Sequence, residues 1–226
     1  MKLFNTSTQA QPWKRLASKM PSMFFGFILF AAGILATIYA DLGAAPWDVF
    51  HIGLSHHLPL SLGQVMQLTG VVLLIVAAAL KEKPGLGSFF NMYFIGLFVD
   101  IIESTGIYFT PDHLLARFAM LILGVWLIGW GTFFYLKVQL GAGPRDGLMV
   151  GIVKYTRKPV WLVRGTLEFI VLLSGYFLGG PVGIGTVLIA LTLGWSVQLA
   201  FKIGKYNARE RKHKNIVELV KEFQSA

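Results

Sequence analysis

The sequence contains no cysteine and few charged residues, and each shortage excludes a class of protein. Without cysteine the chain forms neither disulfides nor thiolate metal sites. Only 14% of its 226 residues are charged, whereas soluble domains carry about 25%. Hydrophobic residues make up 55% of the chain, and the mean hydropathy is +0.64. This composition predicts a membrane protein.

The sequence also lacks the short motifs of common enzymes. It has no GxSxG, no HExxH and no phosphate-binding loop. His51, His56 and His57 lie close together in the segment 41–61, but their spacing does not suit one face of a helix, as a metal site would require. We therefore expect solvent-exposed histidines, and we predict no enzyme, no cofactor and no metal site.

Long apolar runs dominate the rest of the chain. Each run has close to the roughly 20 residues that a helix needs to cross a bilayer. Because unpaired backbone groups are costly in lipid, such runs must be helical. The six predicted spans are 22–40, 62–80, 85–102, 116–137, 160–178 and 182–203.

The cations are distributed unevenly between the links that join these spans. If six helices alternate, 18 of the 20 Lys and Arg residues fall on one side, and Arg117 is the cation of the opposite side. The positive-inside rule then places both termini in the cytoplasm, in a plasma membrane. The net charge of +9 is explained by this asymmetry, so nucleic acid is not an expected partner.

An internal repeat divides the chain into two related halves. Seven of the nine glycines in residues 1–98 have a glycine 98 positions later, where chance would give about one. The two exceptions are Gly63 and Gly70. The matched pairs are 26/124, 33/131, 43/141, 53/151, 85/183, 87/185 and 96/194.

The repeat and the spans together predict the architecture. Each half contains three spans, an odd number, so the second half must be upside down relative to the first. The predicted fold is an all-α membrane protein with a 3+3 inverted repeat, which is typical of secondary transporters. A duplication that only stabilised a helical bundle remains open. The predicted units are a basic cytoplasmic N-terminus (1–21), two three-helix repeats (22–104 and 105–203) and a basic amphipathic tail (204–226).

A Gly-x-x-Pro-x-Asp segment follows the first span of each half. Proline favours the first helical turn, and an acid in that turn meets the positive helix end. The segments therefore predict short helices at about 46–57 and 144–155. Each aspartate either caps its own helix or, if the helices dip into the bundle from opposite faces, belongs to a substrate or ion pathway. That pathway would include Pro46, Trp47, Asp48, Pro144, Arg145 and Asp146.

Two further ionisable residues lie inside the fifth predicted span. Arg164 and Glu168 are four residues apart and share one helix face. Charges at such depth are expensive unless they are paired or face water. We expect a mutual pair turned inward, either as a structural element or as part of the same pathway.

The paired motifs also carry a family resemblance. The stretch Ala-Asp-Leu-Gly-Ala-Ala-Pro-Trp-Asp at 40–48, with Leu-Gly-Ala-Gly-Pro-Arg-Asp-Gly at 140–147, resembles the YczE/YyaS/YitT-type bacterial integral membrane proteins. The resemblance extends over residues 22–203. It implies a multi-pass plasma-membrane protein of transporter-like character, and it implies no substrate and no binding residues.

Three functions remain open at this point. The first is a secondary transporter of an unidentified small molecule or ion, which works by alternating access. The second is a non-transporting scaffold or regulatory factor whose basic inner face and tail dock a cytosolic partner. The third is a channel. The expected partners are the lipid bilayer and a small solute, and assembly as a homo-oligomer is undecided.

Overall fold

The structure, a computed structural model, describes residues 12–207 and 215–224. All regular secondary structure in these ranges is helical. The nine helices are α1 (Pro12–Tyr39), α2 (Pro46–Ser55), α3 (Leu62–Ala79), α4 (Leu86–Ser104), α5 (Leu114–Leu136), α6 (Pro144–Thr156), α7 (Val160–Phe177), α8 (Ile184–Ile203) and α9 (Ile216–Gln224).

Six of the described helices are long and apolar enough to cross a membrane: α1, α3, α4, α5, α7 and α8. They match the six predicted spans, and the largest difference is at the start of α1. That helix begins at Pro12 rather than near residue 22, and it contains Pro21. Residues 12–21 of the predicted basic segment thus extend the first span, and Lys19 Nζ donates a hydrogen bond to the Val138 carbonyl at 2.9 Å.

Helices α1 and α5, the first of each half, form the centre of the bundle. Their backbones approach closely at repeat glycines, where a Cβ on Gly26 would lie 2.8 Å from the Gly131 carbonyl oxygen. A Cβ on Gly33 would lie 2.7 Å from the carbonyl oxygen of Gly124. Gly26 precedes Gly33 on α1, but its partner Gly131 follows Gly124 on α5. The two helices therefore run antiparallel. Small residues permit this approach between apolar helices.

The short helices pack against the opposite half, whereas two pairs of spans pack within one half. Helix α2 packs against α7 and α6 packs against α3, while α1 packs against α4 and α5 against α8. The turns before α2 and α6 are also anchored by the opposite half. The Leu42 carbonyl accepts a hydrogen bond from Gly185 N at 2.6 Å, and the Leu140 carbonyl accepts one from Gly87 N at 2.7 Å. Each half therefore holds the other's turn in place.

The two halves differ where α3 and α4 pack together. Gly63 lies against Gly96 and Gly70 lies against Met92, so both unmatched glycines serve this contact. The equivalent positions in α7 hold Trp161 and Glu168, whose bulk prevents the same approach. Within the described residues 160–203, a Cβ on Gly165 of α7 or on Gly194 of α8 would meet no atom within 4 Å. A gap therefore separates α7 from α8 in the second half.

Part of the predicted basic tail forms α9. Its first residue donates a backbone hydrogen bond, Ile216 N to the Pro84 carbonyl, at 3.2 Å. Val217, Val220 and Phe223 are exposed apolar side chains on α9. The rest of the predicted tail, residues 208–214 and 225–226, and the predicted N-terminal segment 1–11 lie outside the described residues.

Candidate functional site

The two short helices begin at the residues that the sequence predicts. Pro46 and Pro144 occupy the first turns of α2 and α6, which end at Ser55 and Thr156. The residues before them, Ala45 and Gly143, have extended backbones and provide no side-chain cap. The amide groups of both first turns thus receive no hydrogen bond from a side chain at the cap position.

The N-terminal ends of α2 and α6 meet. Arg145 Nη2 lies 3.8 Å from Asp48 Oδ1. The Cζ atom of the Arg145 guanidinium lies 4.8 Å from the centroid of the Trp47 ring, a cation–π distance. Asp48 is only 3% exposed, whereas the Arg145 side chain is 34% exposed. Residues predicted separately in the two halves are therefore in contact.

His51 belongs to this cluster, and the prediction that it is solvent-exposed is wrong. It is 2% exposed, because it lies one turn after Asp48 on the buried face of α2. His51 Nδ1 is 3.7 Å from Asp48 Oδ1, which is too long for a hydrogen bond. Burial lowers the pKa of His51, an effect that Asp48 opposes. The i, i+3 spacing of Asp48 and His51 was the available signal. His56 and His57 are exposed, as predicted.

Three atoms of the cluster lack a hydrogen-bond partner among the described residues. They are Asp48 Oδ1 and both ring nitrogens of His51, Nδ1 and Nε2. Buried polar groups are almost always hydrogen-bonded, because leaving one unpaired costs about 1–3 kcal/mol. Because three such atoms belong to two neighbouring side chains, this cluster is the candidate site of the protein.

Arg145 is surrounded by more than one acid. Its electrostatic partners are Asp48, Asp146, Glu168 and the hydroxyl group of Tyr135. Tyr135 lies on α5 and is 5% exposed, and its hydroxyl also interacts with the backbone of Gly143. The sequence alone did not single out Tyr135, because it occurs inside an apolar span. The site thus combines one guanidinium with three carboxyl groups, an imidazole and a phenol.

Arg164 and Glu168 form the predicted pair, with Arg164 Nε 3.0 Å from Glu168 Oε1. The expectation that this pair is turned inward is wrong. The side chains are 58% and 34% exposed. The reason is the gap between α7 and α8, because the position of Glu168 corresponds to that of Gly70 on the packed face of α3. The pair therefore lies on the open side of the second half, with Glu168 near Arg145.

No set of three or more His, Asp or Glu side chains within the described ranges is arranged to hold a metal ion. Of the three neighbouring histidines, His51 lies in the buried cluster, whereas His56 and His57 are exposed just after α2. The chemistry that the cluster offers is ion pairing, hydrogen bonding and proton exchange.

Comparison with known proteins identifies relatives of bacterial origin. Residues 17–202 match the model of a family of unknown function, DUF6198. An uncharacterized protein of Haemophilus influenzae is 39% identical over 181 residues, which cover 78% of this chain and 82% of that protein. The uncharacterized membrane protein YczE of Bacillus subtilis is 36% identical over 175 residues, which cover 76% of this chain and 80% of YczE.

A second protein of Bacillus subtilis, the uncharacterized protein YyaS, is 30% identical over 175 residues, which cover 75% of this chain and 86% of YyaS. No solved structure matches the chain. The matched residues include all six apolar helices and both short helices. The chain is therefore a multi-pass membrane protein that belongs to the DUF6198 family and is related to YczE and YyaS.

Proposed function

We propose that this protein is a secondary transporter of a small molecule, which works by alternating access in the plasma membrane, with both termini in the cytoplasm. The observation that carries the proposal is the contact between Asp48 and Arg145, at which the short helices of the two halves meet. A solute bound there would touch both halves at once. A relative movement of the halves would then expose it to one side of the membrane or to the other.

An inverted repeat is part of this proposal. Its support is the antiparallel contact of α1 with α5 at equivalent glycines and the exchanged anchoring of the turns at Leu42 and Leu140. In transporters with inverted repeats, interrupted helices aim their positive N-terminal ends at a site near the middle of the bilayer. The contact of Asp48, in the first turn of α2, with Arg145, in the first turn of α6, supports such an arrangement.

The chemistry of the cluster suggests what is bound and what is coupled. Arg145 and the first-turn amides of α2 and α6, which have no side-chain cap, suit an anionic group of the solute. Asp48 and the neutral ring of His51 can each accept a proton, and their unpaired atoms mark where it would be held. The Arg164–Glu168 pair, on the open side of α7, would line the route to Arg145. We propose transport without covalent chemistry and without nucleic acid as a partner.

Flux into proteoliposomes tests the proposal. The purified protein is reconstituted, and a panel of small polar metabolites is screened by counterflow with and without a pH gradient. We expect at least one solute to accumulate, and Asp48→Asn and Arg145→Gln to abolish its flux while both variants remain monodisperse. Asp41→Asn is the matched control, because Asp41 pairs with Arg117 at 3.0 Å in the same motif but is 64% exposed.

A scaffold is the second function, favoured by α9. This helix presents exposed apolar side chains beside the basic segment and lies against the loop at Pro84. A scaffold would lose its cellular activity when residues 205–226 are removed and would tolerate Asp48→Asn. A transporter would show the reverse. Absence of flux for every solute, together with loss of function on tail removal, would replace the transport proposal by this one.

A further inference from the structure

An elongated cavity lies between α5 and α8, away from the cluster at Asp48. Its volume is about 840 Å³, within the range of about 300–1,000 Å³ that is usual for small-molecule sites. Apolar side chains form most of its wall, and two exposed tryptophans, Trp126 and Trp195, flank it. Both helices are membrane spans, so the cavity opens toward the lipid.

The internal repeat explains why this cavity lies in the second half. In the first half the equivalent space between α1 and α4 is filled by rings. The centroid of Phe24 lies 6.1 Å from that of Phe90, 4.7 Å from that of Phe94 and 6.5 Å from that of Phe98. The residues 98 positions later are Ile122, Leu188, Thr192 and Ser196, and all four line the cavity.

One end of the cavity differs in charge from its counterpart. Gln198 and Lys202 line that end and are one helical turn apart on α8. Their equivalents in the first half are Asp100 and Ser104. Asp100 accepts hydrogen bonds from Ser61 Oγ at 2.6 Å and from Gly63 N at 2.8 Å, and it thereby joins α4 to α3. In the second half Gln198 stands at the position equivalent to Asp100, one turn before Lys202, and no acidic residue lines the cavity.

The cavity also has a suitable length. From Leu188 to Lys202 the helix rises by about 21 Å, somewhat more than half of the roughly 30 Å hydrocarbon thickness. An extended acyl chain fits such a groove, with its polar end beside Lys202. The same end of α8 precedes the basic tail, which by the positive-inside rule faces the leaflet rich in anionic lipids.

We propose that this groove is a binding site for an anionic phospholipid. One acyl chain occupies the space that the four phenylalanines fill in the first half, and the phosphate accepts hydrogen bonds from Lys202 Nζ and Gln198 Nε2. The proposal is independent of transport, since it uses no residue of the Asp48 cluster. Charge complementarity distinguishes a lipid of this class from a second copy of the chain, because the groove presents a cation to its occupant and contains no acid.

Native mass spectrometry of the full chain in detergent tests this site. The protein is titrated with phosphatidylglycerol and, separately, with phosphatidylcholine of the same acyl chains. We expect wild type to retain phosphatidylglycerol preferentially. Thr192→Phe, which restores the residue found at position 94, should weaken its retention about tenfold, and Lys202→Gln should remove the preference over phosphatidylcholine.

Val187→Phe is the matched control, because Val187 lies on α8, is 58% exposed and does not line the groove. It should retain phosphatidylglycerol as wild type does. Equal retention by wild type, Thr192→Phe and Lys202→Gln would overturn the proposal. A dimer that persists in detergent and dissociates on Thr192→Phe would also overturn it, since a second copy would then occupy the groove. Circular dichroism of each variant confirms that its helices are intact.

Discussion

Separating Asp48 from Arg145 should cost more stability than any surface ion pair of this protein. At 3.8 Å the attraction is about 4 kcal/mol for an effective dielectric constant of about 20. Because Asp48 is 3% exposed, Arg145→Gln leaves a buried carboxylate without its nearest cation, which should cost about 3 kcal/mol. Asp48→Asn should cost only about 1 kcal/mol, because Arg145 is one-third exposed and retains other acids nearby.

The double variant isolates the contact itself. If the two side chains interact as the structure shows, the double variant should lose about 2 kcal/mol rather than about 4, a coupling of about 2 kcal/mol. Equilibrium unfolding in mixed dodecylmaltoside and SDS micelles, followed by circular dichroism, measures all four proteins. The exposed pair Asp41–Arg117, treated identically, should show a coupling below about 1 kcal/mol. Additive losses at Asp48 and Arg145 would refute the reasoning, because the short helices would then not be joined through these groups.

Two other predictions concern the turn before α2 and the buried histidine. Gly43→Ala should destabilise the protein by about 3 kcal/mol, because the φ of Gly43 is +100° and the added Cβ would lie 2.7 Å from Thr186 Oγ1. Gly194→Ala is the control. Because a Cβ at that position meets no atom within 4 Å, it should leave the thermal midpoint nearly unchanged or raise it. Because burial lowers the pKa of His51, the unfolded chain takes up this proton before the folded one does. Wild type should therefore lose stability as the pH falls below about 6.5, by at most about 1.4 kcal/mol per pH unit, and His51→Gln should lose less over the same window in the same assay.

The positions of the spans followed from the sequence because length and apolar composition decide them in a bilayer. The short helices could be predicted equally well, since proline marks their first turns at Pro46 and Pro144. In each case a local rule, the hydrocarbon thickness or the fixed φ of proline, determines the element. Those parts of the fold required no knowledge of tertiary contacts.

The composition of the site needed the tertiary structure. Nothing local indicates that Arg145 crosses to Asp48, or that Tyr135, inside an apolar span, faces the same cluster. His51 was assigned to solvent because it was considered with His56 and His57 rather than with Asp48, its partner on the helix face. Arg164 and Glu168 were expected to turn inward because charges inside a span are costly unless they are paired or face water. Glu168 in place of a glycine was the available sign that α7 does not pack as α3 does.

Cysteine labelling tests the inverted arrangement most directly, because it reports the side of the membrane on which a chosen residue lies. The chain has no cysteine of its own, so each introduced cysteine is the single site of reaction. His57, just after α2, and Tyr155, in the last turn of α6, are both exposed and are each changed to cysteine in separate variants. Intact cells are treated with a membrane-impermeant maleimide before and after permeabilisation. We expect position 57 to react in intact cells and position 155 to react only after permeabilisation. Reaction of both positions from the same side would contradict the inverted repeat and the alternating access that depends on it.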